Sequence, residues 1–230
     1  MVILVGLGTA VVLWKQGNQT PAQPVNQQAD NVSEDMTAIR SFMANPNLEL
    51  IFVNTDLPMP YFRVGKVTKV DDGENMEAVD SWVRKVNVYD QKEIVNEQCS
   101  IYEYHTDTRN HTLTAVLIRG LRSSEIDTLK ENGITCISDS GNMPKISKAE
   151  AETMAMEYLK RAVPNFDQIK DRFAYTQQRN GESHEWIWED KGYKLPEGLS
   201  SRPYSYPIVR IAVYGNREIQ YWNTVSLFQN

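Results

Sequence analysis

The chain opens on an apolar run, Met1 to Trp14 (MVILVGLGTAVVLW), followed to about Ser33 by a polar stretch of Gln, Asn, Pro, Thr and Ala. A spacer of this composition cannot bury enough apolar surface to order itself, so a globular core has to be assembled from the residues that follow. An apolar segment ahead of such a spacer reads as an export or anchoring device, and the folded part is expected outside the cytoplasm. A spanning helix needs about 20 apolar residues, and a cleaved signal carries a basic leading region and a small-residue cleavage site. The run has 14 residues and lacks both signal features. The expectation is therefore an uncleaved anchor that begins upstream of Met1, with a cleaved signal or a buried core helix as alternatives. Lys15 alone does not set orientation by the positive-inside rule.

Of the full chain, 41% is hydrophobic and 23% charged, the composition of a folded globular protein. A net charge of −6 and a pI near 5.2 leave no electrostatic footprint for nucleic acid. The organisation expected is an anchor over 1–14, a linker over 15–33, and two modules over 34–142 and 143–230. The fold class expected is α+β: an N-terminal membrane-anchor helix, then two small modules, each with an antiparallel sheet packed on a helix.

In the first module, Ser33 to Met43 (SEDMTAIRSFM) reads as a helix capped by Ser33, with Glu34 and Asp35 at its positive end. Leu48 to Asn54 and Tyr61 to Val70 read as strands, and Asn75 to Val86 as a helix with Met76, Val79, Trp82 and Val83 on one face. Gln98–Thr106 and Leu113–Arg119, joined by turn-forming residues, form the clearest hairpin. Ser123–Asn132 has serine caps and Gly133 as a left-handed stop, before a strand over Ile134–Ile137. The boundary falls at Ser140–Pro144 (SGNMP).

Ser147 and Glu150 then make a capping box for an amphipathic helix that Pro164 closes. Strands are expected at Asp171–Gln177, His184–Glu189, Ile208–Tyr214 and Arg217–Val225. A helix followed by hairpin-joined strands predicts a curved antiparallel sheet on that helix. The opening Ile-Ser-x-x-x-Ala at Ile146, Ser147 and Ala151, and the run YPIVRIAVYGNREIQY from Tyr206 to Tyr221, resemble the PepSY-like domains of protease propeptides and bacterial membrane-anchored proteins. The resemblance spans about 145–225, with Tyr214-Gly215-Asn216-Arg217 where the family has Asp-x-x-Thr-Gly. It implies a protein-binding or protease-modulating module in place of an enzyme. The resemblance names no partner; together with the expected location it makes another envelope protein, a protease among the candidates, the expected partner.

Cys99 and Cys136 are the two cysteines of the chain. Outside the cytoplasm they can pair, closing a loop worth about 3–4 kcal/mol in the chain-entropy model, or remain two small buried thiols. His105, Asp107, His111, and His184 with Glu185, are residues capable of acid–base or metal chemistry, but their spacing forms no triad or complete ligand set. No catalytic residue, metal or cofactor is expected; the alternative, a hydrolase, would require clustered polar residues in a closed pocket. Trp186 and Trp188, at i and i+2 on one strand face, have Tyr193, Tyr204 and Tyr206 nearby in sequence. Exposed, this group makes a binding platform for a peptide or a glycan such as a peptidoglycan fragment; buried, the tryptophans fill the core beneath the helix.

Overall fold

The computed structural model describes residues 25–56, 63–70, 73–78, 85–137, 145–202 and 206–228. The run Met1–Trp14, the start of the spacer, the Ser140–Pro144 boundary and Tyr204 lie outside them. In chain order the elements are α1 (Val25–Met43), β1 (Leu50–Asp56), β2 (Arg63–Val70), β3 (Gly73–Ala78), β4 (Val86–Gln91), β5 (Ser100–Asp107), β6 (Leu113–Gly120) and α2 (Ser123–Glu131). There follow α3 (Lys148–Ala162), α4 (Phe166–Ile169), β7 (Ala174–Asn180), β8 (Ser183–Glu189), β9 (Ser200–Arg202), β10 (Ile208–Tyr214) and β11 (Ile219–Asn223).

One eight-stranded antiparallel sheet, ordered β1-β4-β5-β6-β11-β10-β8-β7, dominates the architecture. It corrects the expected fold class. The two separate helix-packed sheets do not form, because β11 pairs with β6, placing Tyr221 opposite Val116 and Trp222 opposite Ala115. Among the described residues no helix is long and apolar enough to cross a membrane. A second sheet, β3-β2-β9, has three strands.

Local chemistry accounts for several elements. The β5–β6 and β7–β8 hairpins follow their turn residues, with Gly181 at φ +57° in the two-residue turn between β7 and β8. Helix α3 starts at Ser147, whose Oγ accepts from the Glu150 backbone N–H at 3.2 Å. The reciprocal half of the expected capping box is diverted: the Glu150 carboxylate accepts from Arg217 at 2.6 Å, tying the helix to the β10–β11 turn. Helix α2 ends in a Schellman motif, with Gly133 at φ +74° and Ile134 N–H donating to the Leu129 carbonyl at 2.9 Å.

Other expectations are corrected. Helix α1 begins at Val25, so Ser33 lies within it and caps nothing, and Asp35 is buried. The helix expected over Asn75–Val86 is replaced at its start by β3, whose pairing with β2 sets Glu77 opposite Lys66. At its end Val86 opens β4, a strand buried on both faces and so without apolar–polar alternation. Residues 79–84 between them lie outside the described set. The strand expected at Ile134–Ile137 shrinks to a single bridge between Gln98 and Ile137. β7 starts three residues later than expected because Lys170–Arg172 form a 3-10 turn.

The core lies between one face of the large sheet and helices α1 and α3. Ile39 and Phe42 from α1 and Ala151, Ala155 and Leu159 from α3 meet Tyr89, Tyr104, Trp186, Ile211 and Tyr221 from the sheet. Each large apolar side chain buried this way contributes about 1.5–3 kcal/mol. The two alanines let α3 approach β10 and β8 closely, while Phe42 stacks on Tyr158 at 5.0 Å between ring centroids and joins α1 to α3. Cys99 and Cys136 form a disulfide with Cα atoms 5.0 Å apart, fastening the segment after α2 to the start of β5.

Candidate functional site

The sequence around β8 builds a groove at one margin of the core. Side chains alternate along a strand, so Trp186 and Trp188 share the helix-covered face, Trp186 opposite Gln177 and Trp188 opposite Tyr175. Pro164 stops α3, and the chain doubles back through α4 to set Phe166 edge-on against Trp188 at 4.8 Å. Phe173 follows after the 3-10 turn and is also buried. Tyr175, on the edge strand β7, approaches the same indole at 5.3 Å yet stays 52% exposed.

Between these rings and the α3 side chains Met156 and Leu159 lies a cavity of about 560 Å³ that opens to solvent. Its walls are apolar and its rim is charged: Glu152, Lys160, Asp167, Lys170 and Asp171 surround it. Asp167 accepts from Lys170 Nζ at 2.8 Å, which holds its carboxyl below the usual carboxylate range and raises the lysine. Burial pushes the Tyr175 phenol up, and the Glu152 charge adds to this, so the hydroxyl stays protonated at neutral pH. The arrangement suits holding an apolar group of side-chain size, with ionic and hydrogen-bonding contacts at the entrance.

Of the two arrangements open to the tryptophans, the structure has the buried one, and the described residues form no exposed aromatic platform. Trp186 is fully buried and Trp188 is 5% exposed, both as core beneath α3 and α4. Tyr193 belongs to a separate cluster with Leu195, Leu199, Leu227 and Phe228, where its hydroxyl donates to the Phe228 carbonyl at 2.9 Å. Tyr206 is half-buried, and Tyr204 lies outside the described residues. Of the described residues singled out as binding candidates by sequence, only Trp188 lines the groove. Met156, Phe166, Phe173 and Tyr175 escaped notice because Phe166 and Phe173 sit in a short connector, NFDQIKDRF, too brief for a periodic signal.

The residues capable of acid–base chemistry do not converge on one site. His184 and Glu185 are strand neighbours and face opposite sides of the sheet. Burial pushes the Glu185 carboxyl up, but hydrogen bonds from Gln178 and from Arg210 at 2.7 Å outweigh it and hold the group below its ordinary value. His105 Nε2 donates to Glu103 at 2.7 Å, whereas His111 Nδ1 donates to Asp35 at 2.9 Å. Asp107 accepts from the Arg109 backbone N–H. Among the described residues no three His, Cys, Asp or Glu side chains gather to hold a metal ion. Comparison with protein-family models, with curated proteins and with solved structures finds no match for this chain.

Proposed function

We infer that this is a non-catalytic protein of the bacterial envelope, tethered to the membrane through its N-terminal apolar segment, that binds or modulates another envelope protein, a protease included. The observation that carries the reading is the Trp188 groove: a solvent-open apolar cavity of about 560 Å³ with a charged rim, beside the exposed ring of Tyr175. A pocket of this kind is filled by a protruding aliphatic or aromatic side chain, the usual anchor of a protein interface. The disulfide supports an oxidising compartment, in line with the apolar run and polar spacer at the N-terminus. The resemblance of residues 145–225 to PepSY-like modules supports binding over catalysis. A glycan platform would need accessible indole faces, and both tryptophans are buried.

The test is affinity capture from the envelope fraction with the full chain in mild detergent, run beside Tyr175→Ala and Met156→Lys, with folding monitored by circular dichroism. A protein recovered by the wild type and lost with both folded variants supports the reading. Equal recovery by all three places any contact elsewhere and rejects the groove.

A further inference from the structure

The occupant of the groove can be narrowed by its position at the margin of the sheet. β7 is the terminal strand of the eight-stranded sheet, and among the described residues no strand pairs along its outer side. Its seven residues pair with β8 in unbroken register from Ala174–Glu189 to Asn180–Ser183. An edge without a bulge is straight and offers its outward N–H and C=O groups in regular spacing. The opposite edge, β1, has a register shift between Phe52 and Asn54 that interrupts such a template. Natural edges are commonly blunted by proline or charged side chains, and β7 (AYTQQRN) has no proline and one charged residue, Arg179, at its far end from Tyr175.

The geometry points to strand addition: the groove holds an extended segment of the partner protein that pairs with β7 and inserts one apolar side chain beside Tyr175 and Trp188. This rests on the protein-binding reading above. A strand laid against β7 lies about 4.8 Å beyond it, and the side chain facing Tyr175 then stands on the helix side of the sheet, at the mouth of the cavity. Main-chain hydrogen bonds supply affinity in this mode and the pocket supplies selectivity, so the segment needs a Leu, Met or Phe at that one position. The rim also suits a cationic flank: with Asp167 paired to Lys170, Glu152 and Asp171 stand against Lys160 and leave a net negative charge, which favours a lysine or arginine beside the apolar residue.

The test uses the full chain and a capped seven-residue peptide alternating threonine and leucine, with phenylalanine at its centre and lysine at one end. Binding is followed by tryptophan fluorescence and by backbone amide exchange. A second peptide of the same sequence carries methyl groups on alternate backbone nitrogens and cannot complete a ladder. Strand addition predicts saturable binding of the first peptide, slowed exchange in β7, and at least tenfold weaker binding of the methylated one. Equal affinity for both would show a pocket that takes an isolated side chain, overturning strand addition and leaving the groove reading intact. No binding of the unmodified peptide also overturns it, while the capture experiment judges the groove independently.

Discussion

Tyr89 donates its phenolic hydrogen to Asp35 at 2.7 Å, joining strand β4 to helix α1 across 54 positions of sequence. The carboxylate is fully buried and also accepts from Asn87 Nδ2 at 2.8 Å and His111 Nδ1 at 2.9 Å. Helix α1 is thus locked to the sheet by one charge with three donors. Burial of the phenol, followed by the hydrogen bond to Asp35, raises Tyr89 well above its ordinary value and keeps it a donor.

Removing that acceptor leaves the buried Tyr89 hydroxyl, and the half-buried Asn87 and His111, without their partner. Asp35→Ala is expected to destabilise the fold by about 3 kcal/mol, and Tyr89→Phe by about 1 kcal/mol, since the second leaves Asp35 two partners. Urea unfolding of both variants and of the double variant checks this. Additive losses would show that the two residues are not coupled.

Arg119 donates to Glu125 from two nitrogens at 2.9 Å and to Asp90 at 2.7 Å, which docks α2 on the sheet. The hydrogen bond from Arg119 brings the Glu125 carboxyl down to about 2 from an ordinary 4.5. A depressed folded value means stability that is complete above the unfolded value and lost as pH falls toward the folded one. The loss accordingly spans about pH 4.5 to about 2. The pair is partly open to solvent, so screening limits the effect to about 1 kcal/mol. Glu125→Gln should flatten that part of the pH–stability curve, and an unchanged slope would show that α2 docks without this pair.

The disulfide closes a loop with a sequence separation of 37. Cys99→Ser with Cys136→Ser is expected to cost about 2–4 kcal/mol. Helix α2 buries no residue completely, so its amides should lose protection from hydrogen exchange before those of β5 and β6 do. Simultaneous loss throughout the sheet would indicate instead that the bond is needed for global folding.

On β1, Ile51, Phe52 and Val53 are 52%, 39% and 47% exposed beside the register shift, an apolar patch expected to drive self-association through side-chain contact. Val53→Lys should lower the light scattering of concentrated solutions while changing stability by about 0.5 kcal/mol or less. A large destabilisation would place Val53 in packing.

Much of the second half was legible in the chain. Ser147 and Pro164 bracket α3, Gly133 ends α2, and the pairs β5–β6, β7–β8 and β10–β11 follow runs of β-forming residues with turn chemistry between them. The candidate site was legible only through Trp188. Its other walls come from a short connector and from single residues of α3 and β7, which nothing in the local pattern singles out.

The Ser147 cap, the Gly133 stop, the hairpin turns and adjacent strand pairs are determined by residues a few positions apart, and so the sequence by itself determined these elements together with two cysteines able to pair; the caps expected at Ser33 and at the serines of α2 do not form. Tertiary structure alone decided that β6 and β11 join into a single sheet, that β4 is a strand, and that Asp35 and both tryptophans lie inside. Those outcomes depend on which faces meet across long separations. Matching apolar surface to apolar surface, and a buried charge to its donors, is a property of the assembled molecule that no local window contains.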